Sequence, residues 1–247
     1  MTGEREQIEG RNPVREALRA GAKLDRLVLA KGSGRSLQDI VELASAAGIS
    51  IEWKEREWLD KRSRTRAHQG VIGWREPVEY AELPDILDKA WESSRPPLLI
   101  ILDGIQDPHN LGSVLRTAEA VGAHGIVIPK RRAAGLTATV AKVSAGAVEY
   151  VPVAQVTNLA RAIDDIKEAG LWVVGADMDG EKVHFEADLT GPLALVIGGE
   201  GKGLARLTKE KCDLMVRLPM YGRINSLNAA VAAAVMMYEV VRQRAQA

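Results

Sequence analysis

Hydrophobic residues along this chain fall at two spacings. In residues 37–47 (LQDIVELASAA), Leu37, Ile40, Val41 and Ala44 share one helical face, and Gly48 follows as a stop. Residues 24–30 (LDRLVLA), 49–53 and 70–74 (GVIGW) read instead as short strands. Ahead of them, Asn12 and Pro13 precede residues 14–18 (VREAL) as a cap and a first-turn proline of a short helix. Helix and strand patterns alternate in this way up to about residue 76, as in a small α/β sandwich.

Between residues 77 and 97 the pattern thins. Pro77, Pro84, Pro96 and Pro97 bracket one short helix at 85–91, the composition of a linker. Residues 98–102 (LLIIL) then form a continuous apolar run, as in a parallel strand buried on both faces. Apolar residues at 111, 114, 115, 118 and 121 predict a helix over 111–121. Strands follow at 125–129 (GIVIP), 171–176 (LWVVGA), 193–197 (LALVI) and 215–219, with helices at 158–169 and 227–243. The alternation predicts a mostly parallel sheet covered on both faces. The expected division is residues 1–76, a linker at 77–97, and residues 98–247.

Composition narrows the function. Apolar residues at 46% support a packed core and exclude a disordered chain. Lys+Arg and Asp+Glu are both 33, so bulk charge does not draw this chain to nucleic acid; only a local basic patch could. The lone Cys212 cannot form an internal disulfide, which points to the reducing cytoplasm. No apolar run reaches the roughly 18 residues of a membrane span, and the nearest, 229–241, is interrupted by Glu239. Residues 1–10 carry Glu4, Glu6 and Glu9 and lack the apolar stretch of a signal peptide. Four scattered histidines and one cysteine offer no structural zinc site, and no metal is expected.

Four segments could carry chemistry. The turn GGEGKG (198–203) follows a buried strand, where open α/β sheets bind ligands. Gly203 after Lys202 breaks the P-loop pattern, and the dinucleotide glycine pattern fails as well. The turn is either a tight connection or a place where backbone approaches a ligand; four glycines beside Glu200 favour a site. In DPHNLGSVLRTA (107–118), Asn110 can cap the helix, and Arg116 lies opposite the apolar stripe, either solvated or available to a ligand. In LPMYGRINSLN (218–228), Ser226 can serve as an N-cap. The helix beyond it has Ala229, Ala230, Ala232, Ala233 and Ala234, which permit close helix approach in the core or across a subunit interface. Lys61, Arg62, Arg64 and Arg66 form a basic run without an acid, flanked by Trp58 and Trp74. Arginines beside aromatic rings suit phosphate and base contact, against the plainer reading of a solvated loop. Arg131 and Arg132 make a smaller basic cluster after Lys130.

In their order and spacing, NLGSVLRTA (110–118), LALVIGGEGKGL (193–204) and LPMYGRINSLNAAVA (218–232) resemble the three signature motifs of the SpoU/TrmH family of RNA ribose methyltransferases. AKVSAGA (141–147) looks like that family's connecting segment. IEGRNPV (8–14) and HQG (68–70) resemble the substrate-binding extension of its large-subunit rRNA branch. The resemblance implies a trefoil-knotted, mostly parallel α/β (SPOUT) fold with a small α/β N-terminal RNA-binding domain. It implies S-adenosylmethionine held by backbone at the knot, and a homodimer through the C-terminal domain. The implied reaction is methyl transfer to the ribose 2′-hydroxyl of a guanosine in the P-site loop of 23S rRNA. The family's functional positions fall here on Asn110, Arg116, Glu200, Ser226 and Asn228. Its cofactor contacts fall on Gly198, Leu218 and Leu227, with Gly199 and Gly201 in the same glycine-rich turn.

Such a transfer needs an in-line geometry, loss of the hydroxyl proton, and a partner for the developing oxyanion. Arg116 is the candidate for the last task, since a guanidinium with a pKa above about 12 is a reluctant base. Asn110 and Asn228 can orient Arg116 or the ribose, and Glu200 is either an orienting carboxylate or the arginine's partner. A tRNA guanosine 2′-O-methyltransferase of the same family is the alternative, disfavoured by an amino block of about 75 residues. A non-catalytic RNA-binding protein on this fold would have lost the Arg116 or Asn228 type, and neither is lost.

Overall fold

The computed structural model describes residues 5–64, 66–201 and 203–246. Glu4, Thr65 of the basic run and Lys202 of the glycine-rich turn lie outside the described residues. In chain order the elements are β1 (Glu6–Glu9), α1 (Arg11–Arg19), β2 (Leu24–Ala30), α2 (Gln38–Ala46), β3 (Ser50–Lys54), α3 (Arg56–Arg62) and β4 (Val71–Arg75). They continue with α4 (Leu83–Glu92), β5 (Leu98–Asp103), α5 (Pro108–Val121), β6 (Gly125–Pro129), α6 (Ala138–Val143), β7 (Val153–Val156) and α7 (Leu159–Glu168). The last are β8 (Trp172–Ala176), β9 (Lys182–Val183), β10 (Leu193–Gly198), α8 (Arg206–Lys211), β11 (Leu214–Arg217) and α9 (Ala229–Arg244). They form two compact units. One takes the chain up to Glu79 together with Gly135–Tyr150; the other takes Tyr80–Ala134 and everything from Val151 onward.

The first unit holds a four-stranded sheet in the order β1-β4-β2-β3, in which only β2 and β3 run parallel. Side chains alternate across it. Leu27 and Leu29 pack with Val14, Ala17, Ile40 and Ala44 of α1 and α2. Val28 and Ala30 pack with Ile72 and with Leu59 of α3 on the opposite face. The inserted segment Gly135–Tyr150 is tied in by an ion pair between Glu149 and Arg75 of β4, whose side chain is 2% exposed.

The second unit is a seven-stranded sheet, β7-β6-β5-β10-β8-β11-β9, with every pairing parallel. The chain runs outward from β5 to β6 and β7 and returns at β8, and β10 later fills the gap between β5 and β8. Leu83, Ile86, Leu87 and Ala90 of α4 and Ile163 and Ile166 of α7 cover one face of the core. The proline-bearing stretch therefore carries a helix buried in this unit. Helix α9 packs against α5 and β10.

Several element ends differ from the periodicity. Helix α5 begins at Pro108, capped by the Asp107 carboxylate accepting from the His109 N–H at 2.8 Å, so Asn110 sits inside the first turn and is not the cap. Asn228, not Ser226, caps α9, because its side-chain oxygen accepts from the N–H groups of Ala230 and Val231. Gly10 precedes α1 at a φ of 98°, which places Asn12 within the helix. Strand β11 ends at Arg217, before Pro219.

Candidate functional site

The carboxyl ends of β5, β10, β8 and β11 converge where the strand order reverses, the crevice in which open α/β sheets hold ligands. A cavity of about 430 Å³ opens there, within the roughly 300–1,000 Å³ of small-molecule sites. Its walls include Asp177 and Lys209, Gly198, Gly201 and Gly203, and Leu218, Ser226 and Leu227.

The glycine-rich turn closes on itself. Gly199 donates to the Asp103 carbonyl at 2.8 Å, and Gly203 donates back to the Gly199 carbonyl at 3.2 Å. A Cβ at Gly198 would lie 2.4 Å from the carbonyl carbon of Gly203, so only glycine lets the two strands of the turn meet. Gly199 faces away from the cavity, against the Gly104 carbonyl. Two carboxylates hold the far end of the turn. Asp103 accepts from the Ala205 N–H at 2.8 Å, and Asp177 accepts from the Leu204 N–H at 3.3 Å. Asp177 also pairs with Lys209 at 2.8 Å while only 8% exposed. Burial alone would raise its carboxyl; the Lys209 hydrogen bond and the N–H groups of Leu204 and Asp179 outweigh that, and it sits below the usual value.

Beside the turn, three motif residues meet. The Asn228 amide donates to the Asn110 side-chain oxygen at 2.9 Å and to Glu200 Oε1 at 2.6 Å. Asn110 donates to the same Glu200 oxygen at 3.1 Å. Asn228 thereby uses both amide protons here and its oxygen in the α9 cap, which fixes the orientation of both amides. The second Glu200 oxygen accepts no hydrogen bond among the described residues. Ser226 stands on the cavity wall with its hydroxyl free of protein partners among them.

Arg116 does not join this cluster. It is exposed on α5 and forms no ion pair among the described residues, so the partner of Glu200 within the chain is an asparagine pair. Arg131 and Arg132 are exposed beyond β6 of the second unit. Lys61, Arg62, Arg64 and Arg66 are exposed on the first unit, the first two in the last turn of α3. Asp103, Asp177 and Lys209 escape the motif reading, although both aspartates end apolar strand runs, the position where such crevices form. Cys212 donates its S–H to the Thr208 carbonyl at 3.2 Å. Burial, with Asp213 adding to it, pushes its thiol up to about 12. No group of three or more His, Cys, Asp or Glu could hold a metal among the described residues, and no helix is long and apolar enough to cross a membrane.

The donor set suits a compact cation. Asp177, Asp179 and Glu200 against Lys209 leave the described lining net negative, and the glycines let backbone reach a ligand. S-adenosylmethionine, with its sulfonium and ammonium groups, fits that lining. A parallel α/β unit with a cavity closed by a glycine turn at its strand ends is a cofactor-binding architecture, joined in this chain to a separate small sandwich. The chain belongs to the SpoU rRNA methylase family, whose profile matches residues 97–238, and residues 7–81 match "RNA 2'-O ribose methyltransferase substrate binding". It is an S-adenosylmethionine-dependent RNA 2′-O-ribose methyltransferase of the TrmH/SpoU type.

Known proteins agree. A Bacillus subtilis (strain 168) chain named as TrmH family tRNA/rRNA methyltransferase YacO is 51% identical over 245 residues, covering 99% of this chain and 98% of that one. The SpoU methyltransferase AviRb from Streptomyces viridochromogenes, solved with AdoMet, superposes with a TM-score of 0.81 at 27% identity, covering 98% of this chain and 92% of AviRb. An AdoMet-bound rRNA methyltransferase from Sinorhizobium meliloti gives 0.77 at 26% identity, with coverages of 96% and 87%. The A. aeolicus TrmH/SpoU tRNA modifying enzyme gives 0.57 at 28% identity and covers only 66% of this chain, and 85% of its own.

Proposed function

We propose that this enzyme methylates the ribose 2′-oxygen of a guanosine in 23S rRNA, in the P-site loop. The observation that carries the rRNA reading is coverage. The rRNA methyltransferase of Sinorhizobium meliloti aligns with 96% of this chain, whereas the tRNA modifying enzyme aligns with 66%. The small first unit is the RNA-holding part in this reading, with Lys61, Arg62, Arg64 and Arg66 as RNA contacts and Arg131 and Arg132 as further ones.

S-adenosylmethionine, when bound, supplies the electrophilic methyl group. Gly198, Gly201, Leu218 and Leu227 hold it through backbone and apolar contacts, and Ser226 offers the cavity a hydroxyl. Glu200, oriented by Asn110 and Asn228, keeps one carboxylate oxygen for the incoming ribose or cofactor. Arg116, exposed on α5 and apart from the Glu200 cluster of its own chain, is the cation we assign to the developing 2′-oxyanion and the neighbouring phosphate. Cys212, held as a thiol, is unsuited to the nucleophilic role that base-carbon methylation asks of a cysteine, which supports oxygen as the acceptor. The enzyme acts in the cytoplasm as a homodimer through the second unit, on the trefoil-threaded fold its motifs imply. Val231, Val235 and Tyr238 lie on one exposed stripe of α9, and a second copy covers them.

The test is methyl transfer from labelled cofactor to 23S rRNA and to bulk tRNA, followed by alkaline hydrolysis of the product. A 2′-O-methyl leaves a gap in the ladder, expected at one guanosine of 23S rRNA. A gap only in tRNA retains the chemistry and overturns the substrate. A complete ladder overturns the ribose assignment.

A further inference from the structure

Helix α3 and the basic run after it are built, not loose. The Arg62 carbonyl accepts from the Gln7 amide at 2.9 Å. Glu9, 3% exposed, accepts from the Ser63 hydroxyl and the Arg64 N–H, both at 2.6 Å. These anchors hold Arg62 where its guanidinium carbon lies 4.1 Å from the centre of the Trp58 ring. A second pair stands on the same sheet face, with Arg26 4.5 Å from the Trp74 ring centre. Both indoles are half-buried against one cluster, Val28, Ala30, Leu59 and Ile72. Both arginines are exposed, and Arg26 also pairs with Glu52 at 3.6 Å.

We infer that this face is a stacking platform for unpaired nucleobases of the RNA substrate. A base lies on the outer plane of Arg62 over Trp58, or of Arg26 over Trp74, while Lys61, Arg64 and Arg66 take the adjoining phosphates. The inference rests on the family's RNA substrate and goes beyond it to the kind of RNA: single-stranded or splayed, not a continuous duplex. The physical reason lies in the layering. A guanidinium is planar and delocalised, so it stacks on an indole with one face and offers the other to a base. Cation–π contact with the ring below keeps it flat and pre-oriented. A bare phosphate or an acidic peptide meets the guanidinium at its N–H edge and leaves the outer face unused.

Lysine keeps the charge and loses both the plane and the N–H fork, and a duplex, which offers phosphates but no unpaired base, separates the two losses. The full-length protein, wild type and Arg26→Lys/Arg62→Lys, is titrated with a short fluorescent oligoadenylate and with a short RNA duplex across a salt series. The double variant is expected to bind oligoadenylate about tenfold more weakly. Its salt slope stays unchanged because the charge count is the same, and its duplex affinity and S-adenosylmethionine affinity stay at wild-type values. Trp58→Phe, which retains an aromatic ring, keeps most of the oligoadenylate affinity. Unchanged oligoadenylate binding by the lysine variant overturns the platform, as does an equal loss on duplex, which marks lost phosphate contacts. If that variant still methylates rRNA like wild type, the platform falls and the function stands. A wild-type protein that neither binds nor methylates any RNA overturns both.

Discussion

The Asn228 side chain donates to Glu200 at 2.6 Å across 28 residues of sequence while its oxygen caps α9. One amide therefore ties the last helix to the glycine-rich turn. An aspartate in its place would still cap the helix but would set a second carboxylate against Glu200. Like charges raise the folded pKa of the pair, so folded-state stability is present at low pH and lost as pH rises through that value. The Asn228→Asp protein should accordingly lose more melting temperature relative to wild type at pH 8 than at pH 5. Asn228→Ala should lose about 1 kcal/mol at both. Both should lose methyl transfer; a fully active Asn228→Asp enzyme removes the network from the mechanism.

Gly198→Ala drives a methyl into the backbone of Gly203 and Leu204. The expected result is a folded protein destabilised by about 1–3 kcal/mol with strongly weakened S-adenosylmethionine binding by calorimetry. Gly191→Ala is the control, because a Cβ there meets nothing within 4 Å.

Asp177→Asn breaks the pair with Lys209 at the cavity wall. Charged hydrogen bonds of this kind contribute about 1.5–3 kcal/mol to stability, so the variant should melt lower, and cofactor affinity should fall as the cavity wall loses a carboxylate. The wild-type carboxyl is held below its usual value and stays ionised above about pH 4. Its contribution is lost only as pH falls through that lowered value. Wild-type cofactor affinity measured from pH 8 to pH 5 should show no step from this residue.

Arg75 faces two carboxylates in the first unit, Glu149 and, at 3.5 Å, Glu6. Burial raises the Glu6 carboxyl, and Arg75 only partly offsets it. Stability from a protonated Glu6 is complete below about pH 4 and is lost as pH rises through the raised value. Glu6→Gln should therefore leave stability at pH 7 unchanged or higher in urea unfolding. Arg75→Gln strands both acids and should cost about 3–5 kcal/mol.

If the protein pairs through α9 as proposed, wild type should sediment as a dimer at micromolar concentration and Val235→Glu or Tyr238→Glu as a folded monomer. A monomeric wild type, or a dimer indifferent to both changes, rejects α9 as the interface.

Much of this architecture could be read from residue patterns, because periodicity reports burial directly. Leu98, Leu99, Ile100, Ile101 and Leu102 announced β5, and the 37–47 face announced α2. The motif residues Asn110, Glu200 and Asn228 are legible in the sequence as members of three separate segments. The pattern failed where buried residues are polar or helical ones charged. Strand β1 hides Gln7 and Glu9 inside the first unit, since each finds a partner there, and α3 carries Arg56, Glu57, Lys61 and Arg62 around a single buried Leu59. The caps sit where the chain turns into each helix, at Asp107 and Asn228, which the spacing of apolar residues does not reveal.

Partnership across the chain needed three dimensions. Asn110 and Glu200, 90 residues apart, meet because β10 inserts between β5 and β8, a choice of strand order that local sequence does not encode. Residues 135–150 leave the larger unit to join the smaller one, where Glu149 answers the buried charge of Arg75. Arg116 shows the opposite case. Its motif position groups it with Glu200, yet α5 turns it to solvent, because a helix has one face to give to the core and Leu111, Val114, Leu115 and Ala118 occupy it.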